Sequence, residues 1–71
     1  MKWISVEDRL PEKGNVTKYK AEIWRHGIMD CTETGKAEYL GMNKIIGKPM
    51  WNTPTFETDD YYENVTHWGE L

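Results

Sequence analysis

At 71 residues the chain has room for one domain, residues 1–71, and a domain of that size buries only about 60% of the surface its unfolded chain exposes. The single cysteine, Cys31, excludes an internal disulfide. No 18-residue apolar run suited to a membrane span and no apolar signal segment is present, which together point to a cytoplasmic protein without membrane contact. Net charge is −3: residues 1–28 carry six basic and four acidic side chains (+2), and residues 29–71 carry three basic and eight acidic (−5).

The opening Trp3-Ile4-Ser5-Val6-Glu7-Asp8-Arg9-Leu10-Pro11 spaces Trp3, Val6 and Leu10 by three and four, which predicts a short helical turn. Ser5 suits its cap, Glu7-Asp8 suit the positive end of its dipole, and Pro11 stops it. The turn is expected to lie as a plug over a small sheet, with Trp68 packed on it near Trp3. Four tryptophans, four tyrosines and Phe56 are expected to supply the core, since each large ring buries roughly 150–250 Å².

Glu12-Lys13-Gly14-Asn15 reads as a turn. Val16 to Trp24 then alternates, with Tyr19, Ala21 and Ile23 on one face and Lys18, Lys20 and Glu22 on the other, a half-buried strand with one wet face. His26-Gly27 is a tight turn. Ile28 to Thr32 returns as a second strand in which Met29 and Cys31 point inward together. Thr34-Gly35 is a second turn, or a bulge in one long strand, before Lys36 to Leu40, where Ala37 and Tyr39 share a face. Three such strands make a meander. Gly41 to Lys48 reads as a loop or a short turn of helix, Met50-Trp51 as a fourth strand, and Asn52 to Thr58 as a loop. Asp59-Asp60-Tyr61-Tyr62-Glu63-Asn64 reads as an exposed acidic connector, and Val65 to Trp68 as a terminal β segment. The expected class is therefore mainly β with a small helical element: an antiparallel meander of three to five strands and an N-terminal helical turn.

The opening Trp-Ile-Ser-Val-x-x-x-Leu-Pro (Trp3 to Pro11) and the closing Val65-Thr66-His67-Trp68 resemble domain-of-unknown-function family 551, carried by tailed bacteriophages and prophages. Trp51 matches the isolated tryptophan between the two motifs. Family members usually continue beyond the closing motif with a proline-rich tail, where this sequence reads Gly69-Glu70-Leu71. The resemblance implies a phage-encoded accessory protein acting in a bacterial host, and it brings no catalytic residues with it.

No serine-hydrolase elbow, Walker loop or dinucleotide fingerprint occurs. Two histidines and one cysteine fall short of a structural zinc set, so no metal and no cofactor is expected, nor an enzyme. Cys31 reads as a small core residue rather than a nucleophile, and His26 as a turn residue. His67 reads either as a ligand-binding residue beside Trp68 or as a strand residue holding a hydrogen bond, with the two side chains on opposite faces. Asp59, Asp60 and Glu63 around Tyr61 and Tyr62 form the segment best suited to contact another protein, because tyrosine is enriched at interfaces. Trp24, on the wet face of the first strand, marks a further contact or a homodimer surface. Lys18 and Lys20 beside Trp24 could touch single-stranded nucleic acid, but the acidic balance and the interleaved Glu22 argue against that partner. The expected function is a non-enzymatic accessory protein that binds and modulates a host or phage protein. The alternative is a nucleotide-like small molecule held in a tryptophan-lined pocket.

Overall fold

The computed structural model describes residues 2–54, 58 and 60–71. Five antiparallel strands form one sheet: β1 (Ile4–Ser5), β2 (Val16–Arg25), β3 (Ile28–Asn43), β4 (Lys48–Trp51) and β5 (Tyr61–Gly69). Their spatial order is β1-β5-β2-β3-β4. The sheet is therefore no simple meander, because the last strand inserts between the first and the second.

The alternation in β2 sets the two faces. Thr17, Tyr19, Ala21 and Ile23 are buried, and the intervening Lys18, Lys20, Glu22 and Trp24 are half-exposed. Tyr19 and Ala21 join Ala37, Tyr39, Trp51 and Trp68 in one core cluster on the inner face, with Ile4, Val6, Leu10 and Val65 packed at its margin. β3 is a single 16-residue strand, not two strands joined at Thr34-Gly35. Gly35 stands in it opposite Tyr19, where an added Cβ would come within 3.0–3.2 Å of the phenol ring. The strand has a glycine there because the tyrosine fills the space above it.

At Tyr39 β3 begins to pair with β4, and a bulge at Leu40 shifts the register. β4 is thereby carried across the inner face. The Trp51 indole N–H donates to Thr17 Oγ1 at 2.9 Å, and its ring tilts against Tyr39 at 4.7 Å. Beyond β4, Thr53 Oγ1 donates to Glu63 Oε1 at 2.6 Å, tying this end to β5. The connection from β3 to β4 turns through Asn43, whose side chain accepts from the N–H groups of Ile45 and Ile46.

The N-terminal plug is not a helix; among the described residues there is none. Ile4 and Ser5 pair with Trp68 and His67, and a single turn follows, in which the Asp8 and Arg9 N–H groups reach the Ser5 carbonyl. Ser5 does cap that turn, its Oγ accepting from the Glu7 N–H at 3.2 Å. One turn fixes several residues for one or two hydrogen bonds, a poor exchange unless further turns follow, and Pro11 forbids them. Because β1 alternates, Ile4 rather than Trp3 faces the core. Trp68 is buried, 4% exposed, but its N–H donates to the Arg9 carbonyl at 2.9 Å; Trp3 lies half-exposed on the other face. Only Trp51 and Trp68 of the four tryptophans serve the core.

Candidate functional site

The outer face of the sheet is assembled row by row from the register. Nearest the hairpin tip, Tyr62 on β5 lies opposite Trp24 on β2, which lies opposite Met29 on β3. The next row is Asn64, Glu22 and Thr32; the next His67, Lys20 and Thr34, with Ser5 beyond His67; the last Gly69, Lys18 and Lys36. One end of this face is aromatic and the other basic.

Two bulges decide that arrangement. In β5 the register shifts at Thr66, so that Lys20 faces His67 but Ala21 faces Val65. Strict alternation from buried Trp68 would send Tyr62 and Asn64 inward; the extra residue turns them outward and sends Glu63 in. In β3 an extra residue at Asp30 separates Met29 from Cys31. The expectation that both point inward fails for that reason. Met29 joins Trp24 on the outer face, while Cys31 stays opposite Ile23 and is exposed rather than part of the core.

Trp24 and Tyr62 stack with parallel rings, 1° apart in tilt and 6.0 Å between centroids. Tyr62 is 37% exposed, Met29 41% and Ile28 70%. The Trp24 N–H donates to Glu22 Oε1 at 3.4 Å, and Asn64 Nδ2 donates to the same oxygen at 3.4 Å. Both are long contacts, and both converge on the Glu22 carboxylate.

The candidate residues divide as follows. Tyr62 and Trp24 come together. Tyr61 opens β5 beside them, on the inner side, with the Arg25 guanidinium 5.1 Å from its ring centroid and Arg25 Nε 3.2 Å from Asp30 Oδ2. The segment is thus a strand rather than a connector from Tyr61 onward. Asp60 is exposed at the same end; its carbonyl accepts the His26 N–H at 2.7 Å and its carboxylate lies 3.8 Å from His26 Nδ1. His26 at φ 52° and Gly27 at φ 77° form the expected tight turn. Asp59, with Phe56 and Glu57, lies outside the described residues. Glu63 is buried on the inner face against Thr53 and does not belong to an exposed contact surface. His67 sits two rows from Tyr62, its Nδ1 2.9 Å from Thr66 Oγ1. The sequence passed over Met29, Lys36 and Trp3 as surface residues, since their neighbours are set by long-range pairing.

Burial raises the phenol pKa of both Tyr19 and Tyr39 above 10.0, and for Tyr19 the charges of Glu63 and Glu33 push in the same direction. Both rings are core residues. Trp3, Trp51 and Trp68 each line a different surface depression, so these three indoles do not converge on a common pocket. Among the described residues no group of three or more His, Cys, Asp or Glu side chains converges as a metal site would require.

A family model described as "Protein of unknown function (DUF551)" matches residues 2–71, and the chain belongs to that family. Neither curated proteins nor solved structures provided a match.

Proposed function

We propose that this member of the family is a non-enzymatic accessory protein that binds and modulates a host or phage protein, using the aromatic end of its outer face. The observation that carries the reading is the Trp24–Tyr62 stack, its rings parallel and left open to solvent beside Met29 on the same face. Large aromatic rings have only two side-chain torsions to order on binding and bury much area, the properties of an interface anchor. The charges at this end are largely matched, Asp30 by Arg25 and Asp60 by His26, which leaves the aromatic surface as the main recognition element.

The test is affinity capture from phage-infected bacterial extract, followed by titration calorimetry with the purified partner. A partner held through this patch binds with a negative heat-capacity change. The Trp24→Ala/Tyr62→Ala double variant should weaken it by at least tenfold, the effect of losing about 1.4 kcal/mol. A partner bound equally well by the double variant would overturn the assignment of the surface.

A further inference from the structure

We propose that the opposite end of the same face, around Trp3, Lys18, Lys20 and Lys36, binds single-stranded nucleic acid. The inference goes beyond the protein-binding reading and uses none of its residues.

Lys18 stands directly opposite Lys36, and Lys20 lies in the adjacent row between His67 and Thr34. Like charges directly opposed across a sheet are destabilising, and among the described residues none of these three lysines forms an ion pair. Three free ammonium groups are thereby concentrated on one side of a protein whose net charge is −3. Two residues along a strand cover about 6.6 Å, so Lys18 and Lys20 can meet successive anionic groups of an extended polymer while Lys36 broadens the stripe sideways.

Trp3 supplies the other half of the chemistry. Gly69 occupies the β5 position opposite Lys18 and carries no side chain. Trp3, one residue before β1, lines a shallow depression of about 320 Å³ with Lys18, Thr34, Gly35 and Lys36. An indole is thus placed beside the lysine pair instead of in the core.

The combination selects its ligand. A bare phosphate would use the ammonium groups and leave the indole idle. An apolar peptide would cover the indole and leave the charges unsatisfied. A single-stranded nucleic acid offers phosphates to the lysines and an unpaired base to stack on the ring, whereas a duplex keeps its bases inside. Among the described strand residues, Glu22 and Glu38 are the acidic groups that the register places on this face, and Glu7 lies beyond Ser5 and His67. Glu22 is engaged by Trp24 and Asn64, and Glu38 lies opposite Val16 at the edge of the stripe. Their presence sets a modest, salt-sensitive affinity.

The experiment is fluorescence anisotropy of the full chain with short labelled oligo(dT), oligo(rU) and a duplex of equal length, at low salt. Saturable binding of either single strand, with weaker binding of duplex, is expected. Three lysines each neutralising one phosphate predict a slope of about −2 for log affinity against log salt. Lys18→Gln/Lys36→Gln should lose at least tenfold and Trp3→Ala a similar amount, while Trp24→Ala/Tyr62→Ala retains binding. The lysine variants are surface changes that keep the fold, so the test stands even where Trp3→Ala disturbs β1. Absence of saturable binding, equal binding of duplex, or affinity unchanged in Lys18→Gln/Lys36→Gln would overturn the proposal.

Discussion

The two faces of this sheet are built from the same strands and have opposite fates. On the inner face, Tyr19, Ala21, Ala37, Tyr39, Trp51 and Trp68 close together beneath β4, each 6% exposed or less. On the outer face, Trp24 and Tyr62 stack in the open and Lys18 faces Lys36. The inner indoles have their N–H groups satisfied by Thr17 Oγ1 and the Arg9 carbonyl. The outer Trp24 N–H reaches only a long contact to a carboxylate. The buried core therefore resides on one side and the surface proposed for recognition on the other, and an aromatic residue belongs to either according to the face its register gives it.

The largest expected contrast is in truncation. Trp51→Ala or Trp68→Ala should cost about 3–5 kcal/mol, while Trp24→Ala on the outer face should cost less than about 1 kcal/mol. Urea unfolding followed by far-UV circular dichroism measures both; equal losses would erase the distinction between the faces.

A narrower break is Thr17→Val, which keeps the shape and removes the acceptor beneath Trp51. Stranding a buried indole N–H should cost about 1–3 kcal/mol. Removing the outer acceptor's charge with Glu22→Gln should stay within about 0.5 kcal/mol. Midpoints from the same denaturation series separate the two.

Gly35→Ala tests how tightly the inner face is filled. Its new Cβ would meet the Tyr19 ring at 3.0–3.2 Å, so Tyr19 must shift, at about 1 kcal/mol for a modest overpacking. A stabilising Gly35→Ala would mean that the entropy gained outweighs the clash and that the ring has room to move.

The smallest effect is in alkali. In the folded chain burial keeps the Tyr19 and Tyr39 phenols protonated above their ordinary value of 10.0, whereas in the unfolded chain they ionise there. Folding then binds more protons than unfolding, so their contribution is intact below pH 10 and falls as pH rises through the folded-state values. Tyr19→Phe should flatten that decline in a thermal-melting series taken through the alkaline range, and an unchanged slope would place the titration elsewhere.

Local pattern made much of this legible. The alternation of β2 marked its faces correctly because a period of two needs no partner to be read. The turns at Gly14 and Gly27, the cap at Ser5 and the shared face of Ala37 and Tyr39 followed from residue chemistry alone. Trp3, Val6 and Leu10 misled because three apolar residues at helical spacing also suit a two-residue strand followed by a turn. The binding face was less accessible. Tyr62 was expected at the surface, where it stands, but its stacking on Trp24 depends on a bulge at Thr66 with no signature in composition.

By itself, then, the sequence determined the class of element, the polarity of each strand's faces and the membership in its family, since these depend on neighbours a few residues apart. Tertiary structure alone decided that the last strand lies between the first and the second, that Trp3 comes beside Lys18 and Lys36, and that Lys36 comes to face Lys18. Those outcomes depend on which strands pair and at what register. One extra residue in a ladder reverses every side chain beyond it, and only the packing of the closed face selects where that residue goes.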